Sequence, residues 1–477
     1  MNNEKNIALV GFASDYFYEF ALSLQSVGFN VYWVCITNSM FERLKRIRGV
    51  GEKYLCNPVR NFNPDKIDIY IARKYLAEIE VEQYPTFNDI ILMDRILKKQ
   101  NPEVAIKFIY HILVNLRFFF IINDIHLINS GRDNAIQLST MLLGKKLSIP
   151  WFVPTRMRIP KNMYGFCSNH ETNSFLEIAK PGKDDYEWAN FFLEKYLNEN
   201  IKPELKVSAM NFRDVFKLMP SHYKIFCKLL KEVFYDFNNT YTRYKISDIV
   251  SMYIKRRINM AKVFIFKPFI FPLPNTSFVL YTLHTQPESS IDVSASFFSN
   301  QIETIKLISR SLPMSHKLYV KVHPTDVDGK DLSFYRAIKE IPSVKLIHFN
   351  CNIKSLIEEA DLIFTLTGTI ALEAGLRSKN VITFANNYFN MLPTVNYCSD
   401  IKLLPSIISK LLNDKLINVN REKVIYFLAY MKASCFEGEI NRDYGANPSE
   451  LTKQDLNSLA NSYSMLYNTV KKDIKIE

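Results

Sequence analysis

Glycine is scarce in this chain, 13 of 477 residues. That leaves little material for the Gly-rich loops that wrap phosphates, so any phosphate site must draw on other donors. Cysteine is sparse too. Cys35, Cys56, Cys167, Cys227, Cys351, Cys398 and Cys435 are odd in number, widely scattered and without a C-x-x-C pair. The pattern argues against structural zinc and dithiol redox work and fits free thiols in a reducing cytoplasm. The eight histidines do not cluster at metal-ligand spacings, and no Asp-x-Asp pair stands where a metal would bridge a diphosphate, so neither a metal nor a resident cofactor is expected. Long apolar runs are missing as well: residues 111–122 are too few to span a bilayer, and residues 263–283 are interrupted by Lys267 and three prolines. The opening MNNEKNIALVGF lacks the basic-then-apolar layout of a secretory signal, which predicts a cytoplasmic protein.

What is present is globular in character. Hydrophobic residues make up 48% and charged residues 23%, and the 35 Phe and 26 Tyr supply large aromatic cores. The length calls for at least two domains. A net charge of +12 attracts nucleic acid, anionic lipid or an anionic substrate without choosing among them. The basic residues are dispersed and form no nucleic-acid recognition motif, so nucleic acid is not an expected partner. Basic and aromatic residues interleave over residues 241–267, including Lys255, Arg256 and Arg257, a composition suited to peripheral contact with an anionic membrane surface.

Apolar periodicity predicts an α/β fold with two Rossmann-type doubly wound domains. The first opens as strand 7–12, helix 15–27 and strand 31–36, with further strand-like runs at 90–93, 118–122 and 125–128. It extends over residues 1–270 and includes a helical insertion about 204–257. The Pro-rich stretch 267–275 reads as a linker. A second α/β domain follows over residues 271–422, with strands at 278–283, 317–322, 344–347, 362–365 and 381–384. Helices are expected about 298–311, 332–340, 353–359 and 370–376. Residues 423–477 read as a helical segment packing across the domains.

In open parallel sheets ligands bind beyond the carboxyl ends of the strands, and three strand ends of the second domain carry chemistry. His284, with Gln286 and Glu288 after it, follows the first; His323-Pro324, with Lys321 just before, follows the second; Thr367-Gly368-Thr369 follows the fourth. Two hydroxyls and backbone N–H groups at a helix start suit an anion, with plain N-capping by Thr369 as the bland alternative. Glu373 lies one place beyond the capping-box position, where a carboxylate would accept from ribose hydroxyls or simply face solvent. His323 is placed to donate to a phosphate oxygen, and His284 shares its strand-end logic; for each, a structural role is the alternative.

The runs YTLHTQPESS, KLYVKVHPTD, IPSVKLI and TLTGTIALEA together resemble the bacterial capsule polysaccharide biosynthesis family over about residues 276–410. The resemblance implies a GT-B fold in which the C-terminal half binds a nucleotide-sugar, and a glycosyltransferase of the ulosonic acid transferase kind. It also implies phosphate contacts at His323-Pro324, Thr367 and Thr369. Such an enzyme needs a base for the acceptor hydroxyl. Asp133, between an apolar strand and a helix start, is the first candidate, followed by Asp15 and Glu171; each is otherwise a cap or surface carboxylate. Arg132, Arg156 and Arg158 are candidates to hold an anionic sugar or acceptor. A single-phosphate CMP donor suits a compact site without metal, and the acceptor would be a glycan or lipid-linked glycan. A UDP-sugar transferase or epimerase, and a catalytically inactive scaffold of polysaccharide assembly, stay open as alternatives.

Overall fold

The computed structural model describes residues 5–12, 15–47, 49–80, 84–198, 241–271, 276–413, 421–438, 440 and 453–474. The chain divides into two compact units. The first takes the N-terminal block up to Ala179 and returns from Ser434 onward; the second contains the long block Ser247–Ala433. Most of the helical insertion expected about 204–257 lies outside the described residues; its end belongs to a helix, Ile246–Phe266.

In the first unit the strands are β1 (Lys5–Val10), β2 (Phe29–Val34), β3 (Leu55–Cys56), β4 (Leu127–Ser130), β5 (Trp151–Arg156) and β6 (Met163–Cys167). They lie in the order β6-β5-β4-β1-β2-β3, parallel except where β5 meets β6. The short strand Phe436–Glu437 adds an antiparallel edge to β6. The C-terminal helix Lys453–Ile474 packs on helix α1 (Asp15–Ser26), with the rings of Tyr463 and Phe20 5.1 Å apart. Tyr164 in β6 donates to Ser462 at 2.9 Å, so the returning segment completes this unit's core.

Two apolar runs read as strands are helical here. Residues 90–93 end the helix Phe87–Met93, and residues 118–122 end the helix Pro102–Ile122. An apolar run alone does not separate strand from buried helix. The deciding signal is upstream: Asn101 accepts from the Glu103 and Val104 N–H groups, and Pro102 opens the first turn. Residues 111–122 are thus part of a 21-residue helix that by length and composition is able to cross a membrane. Its Ile109, Ile112, Leu113 and Leu116 are buried in the first unit. Along its length Lys107 donates to the Pro64 carbonyl, His111 bonds Arg60 O and Asn115 donates to Pro58 O, all tying it to that unit.

The second unit carries a six-stranded parallel sheet: β7 (Phe278–Thr282), β8 (Lys317–Lys321), β9 (Val344–Ile347), β10 (Leu362–Thr365), β11 (Val381–Thr383) and β12 (Val395–Tyr397). The order is β12-β11-β10-β7-β8-β9. The five strands read from the sequence are all present, and β12 is an addition. Val279, Tyr281, Val320, Leu346, Phe364 and Ile382 fill one core, and the alternating residues Phe278, Leu280, Ile363 and Val381 are buried too, which is why β7, β10 and β11 read as nearly continuous apolar runs. From β7 the chain winds outward through β8 and β9, then returns to place β10 on β7's other side. The sheet therefore reverses its winding between β7 and β10, at the point where open α/β sheets take ligands.

Candidate functional site

His284 and Thr365 meet at that reversal. Leu362 pairs with Val279 and Phe364 with Tyr281, so the two strands end side by side. The backbone N–H of Leu366 donates to His284 Nε2 at 3.2 Å, and Thr365 Oγ1 lies 3.1 Å from the same nitrogen. A ring nitrogen that accepts from a backbone N–H carries no proton itself, so neutral His284 keeps its proton on Nδ1. Burial, reinforced by the nearby His323, pushes His284 down to about 4. The ring is neutral at neutral pH and fixed in one tautomer.

His323 sits at the end of β8, half-buried, as the cap of a short 3-10 turn, Pro324–Asp326. Its Nδ1 accepts from Thr325 N–H at 3.3 Å and lies 2.7 Å from Thr325 Oγ1. The same tautomer argument runs the other way here and leaves the proton on Nε2. Burial first, and Lys321 second, hold this imidazole below the ordinary histidine range. Two neutral imidazoles with opposite tautomers thus stand at adjacent strand ends.

The remaining candidates of this unit are distributed unevenly. Thr367 spends its hydroxyl proton on the Ser290 carbonyl at 2.9 Å, tying the β10 turn to the β7 turn. Thr369 occupies the N-cap position of the helix Ile370–Leu376, yet its side chain caps nothing. Lys321 is buried and donates to Phe349 O at 2.8 Å, so its ammonium anchors a neighbouring loop. Glu373 is half-buried; burial raises its carboxyl above the usual range, against the pull of Lys354 and Arg377. Glu288 is exposed, and its side chain makes no cap bond. Gln286 is used internally: its N–H donates to Asp326, its Nε2 to Ser299 O, and its Oε1 accepts from Gln301 and Lys330.

Gly368 shows how tightly the turn is built. Its N–H donates to Thr365 Oγ1 at 3.1 Å, and a Cβ added at Gly368 would lie 2.5 Å from that oxygen and 3.4 Å from the His284 ring. We expect Gly368→Ala to displace the Thr365 hydroxyl and cost about 1–3 kcal/mol. Thermal unfolding reads the loss, and imidazole nitrogen NMR reads release of His284 from its single tautomer.

Sequence reading passed over Asp326-Val327-Asp328, an Asp-x-Asp pair one residue after His323-Pro324. Asp326 is 2% exposed, lies 3.8 Å from Lys330 Nζ and 3.9 Å from Arg256 Nη2, and its N–H donates to His323 O at 2.9 Å. Asp328 accepts from Arg256 at 2.7 Å. Both carboxylates are therefore engaged with cations behind the histidines. The available signal was the run Asp326, Asp328, Lys330: charged residues at every second position after a strand end.

In the first unit, Asp133 is exposed beyond β4, while its backbone N–H donates to Gln137 Oε1 at 2.8 Å. Asn134, its neighbour, caps the helix Ala135–Lys146. Gln137 is buried between the ends of β1 and β4, and a Cβ at Gly11 or Gly131 would lie 2.5 Å from its Nε2. Arg132 donates to His170 O at 2.6 Å. Burial raises the half-buried Glu171 above the usual carboxyl range. Arg156 is half-buried at the end of β5, Arg158 is exposed, and the side chain of Asp15 lies outside the described part. The structure thus brings Asp133 and Arg132 to the carboxyl end of the first sheet.

Residues 239–394 match the family of capsule polysaccharide biosynthesis proteins. The matched segment contains β7 to β11, and with them His284, His323, Thr367, Gly368 and Thr369. A search of curated proteins finds no match. Among solved structures the chain is similar to the KpsC beta Kdo 2,7 transferase of Thermosulfurimonas dismutans, at 9% identity over 96% of this chain and 99% of that one, with a TM-score of 0.37. The KpsC beta Kdo 2,4 transferase of the same organism is 13% identical over 66% of this chain and 81% of its own, with a TM-score of 0.36. UDP-GlcNAc 2-epimerase from Neisseria meningitidis, bound to UDP-GlcNAc, is 12% identical over 98% and 100%, with a TM-score of 0.29.

Proposed function

We propose that this protein is a cytoplasmic glycosyltransferase of capsule or lipopolysaccharide biosynthesis, which moves a sugar from a CMP-activated ulosonic or nonulosonic acid to a glycan or lipid-linked glycan. The observation that carries this reading is the pair of neutral, tautomer-fixed histidines at the ends of β7 and β8, beside the winding reversal of the sheet that the capsule family model matches. His323 Nε2–H is a preset donor for the phosphate oxygen from which the sugar departs. As the anomeric carbon–oxygen bond breaks, its electrons stay on that oxygen, where the donated hydrogen bond stabilises the growing charge. An acceptor hydroxyl attacks the anomeric carbon and gives its proton to a carboxylate base. His284, neutral and with its Nδ1–H unspent on Leu366 or Thr365, is a second donor at the same strand ends. Glu373, on the helix Ile370–Leu376, is the proposed acceptor from ribose hydroxyls. No metal takes part in this mechanism, because the charge falls on a single phosphate within reach of protein donors.

The test is a thermal-shift screen against CMP, UDP, GDP and TDP, since a ligand that binds the folded state raises its melting temperature. A rise with CMP alone is expected. A rise with UDP alone would move the assignment to UDP-sugar transfer or epimerisation, and none with any nucleotide would favour a non-catalytic scaffold.

A further inference from the structure

The helix Ile246–Phe266 has one side fixed and another exposed. On the fixed side Met260 and Val263 enter the second unit's core, Asn259 donates to Asp328 O at 3.2 Å, and Arg256 bonds both Asp328 and the Thr325 carbonyl. These residues recur at helical spacing, so they set the rotation of the helix about its axis. The opposite side follows from that rotation: Ile254, Ile258 and Ile265 line it, exposed by 51%, 47% and 71%. Lys255 and Lys262 flank this stripe on one edge and Arg257 on the other. Asp248 is the one acidic residue of the helix, against Lys255, Arg256, Arg257 and Lys262, and Lys267 follows it directly.

A stripe of branched aliphatic side chains held outward between rows of cations matches the layering of an anionic bilayer surface, with acyl chains below and phosphates above. A protein partner would need acidic groups on both edges of an apolar ridge, whereas a lipid headgroup layer supplies that arrangement at every position along the helix. We propose that the outward face of Ile246–Phe266, centred on Ile254, Ile258 and Ile265 and rimmed by Lys255, Arg257 and Lys262, docks the protein on a membrane rich in anionic phospholipid. The helix lies in the interface plane, with the isoleucines below the phosphates and the lysines among them. This surface extends the proposed function by bringing the enzyme to a lipid-linked acceptor, and its test needs no nucleotide, so either reading can fail alone.

Flotation of the full chain with vesicles of phosphatidylcholine, with and without phosphatidylglycerol, reads the interaction directly. Binding is expected with phosphatidylglycerol only, and should weaken as salt is raised. The triple variant Ile254→Ser, Ile258→Ser, Ile265→Ser should lose about tenfold or more in partitioning, and Lys255→Gln with Lys262→Gln about twentyfold, since each cation near the surface contributes roughly fivefold. Circular dichroism and melting temperature should be unchanged in both variants, because none of these side chains enters the core. Equal binding to both vesicle types, no binding to either, or full binding by the triple variant overturns the proposal. So does a dimer of the wild-type chain that the triple variant abolishes, which would give the face to a second copy.

Discussion

Replacing His323 by alanine should lower kcat by about 10²–10³-fold, the usual consequence of deleting one preset donor to a developing oxyanion, and leave the fold intact. The ring is half-buried, and its hydrogen bonds are to Thr325 in its own turn, so its loss removes one N–H at the site and little packing. The effect should fall on kcat more than on KM, because the donated bond strengthens as the phosphate oxygen gains charge. A pH profile separates this role from acid catalysis by an imidazolium. Burial and Lys321 hold His323 below its ordinary value, so the neutral form dominates from mildly acidic pH upward. Transfer that depends on neutral Nε2–H should hold steady as pH rises past the ordinary histidine range and fall on acidification. A rate that declines on raising the pH through that range would make the charged ring the active form and sink the assignment. His323→Gln, which retains an N–H, should recover part of the loss.

The division between what sequence disclosed and what it hid follows the range of the interactions involved. Strands β7, β10 and β11 are buried on both faces and read as nearly unbroken apolar runs, and β8 and β9 keep enough of that pattern to be recognised beside them; the polar residues that follow β7, β8 and β10 lie at the sheet's carboxyl edge. His284, His323 and Thr367 were legible for that reason. The short edge strands β3 and β12 carry too little pattern to be seen, whereas β11, equally short but inside the sheet and buried, is legible. Residues 118–122 misled because the helix that holds them begins at Pro102, far upstream of the most apolar stretch. What the site residues do was less accessible than where they lie. The tautomer of His284 depends on Thr365 and Leu366, 81 and 82 positions away, and Gln286 is occupied by Lys330, 44 positions on. No local spacing encodes such partners; they follow from which strands become neighbours.

Lys330→Met should be the most destabilising single change near the site, at about 2–4 kcal/mol, because it leaves a buried carboxylate short of a cation. Lys330 donates to Gln286 at 3.0 Å, lies 3.8 Å from Asp326 Oδ2 and sits over the Phe334 ring, so its ammonium joins the turn after β7 to the turn after β8. Asp326 is buried, and burial outweighs Lys330, the Gln286 N–H and Arg256 in setting its proton affinity, which stands above the usual carboxyl range. A carboxyl raised on folding stabilises the protein below its unfolded value and loses that contribution as pH climbs through the folded one. Removing Lys330 takes away the largest opposing influence and raises Asp326 further. The deficit of Lys330→Met relative to wild type should therefore be full at neutral pH and shrink on acidification, as Asp326 becomes protonated in both proteins. Denaturant unfolding at a series of pH values measures it. Adding Asp326→Asn to Lys330→Met should restore part of the loss, since the amide removes the stranded charge and still accepts from Gln286 N–H. A deficit independent of pH, or a double variant no better than the single, would show that Lys330 acts through its packing on Phe334. Because Asp326 N–H holds the His323 carbonyl, the same single variant should also lose turnover in proportion to how far the turn after β8 relaxes.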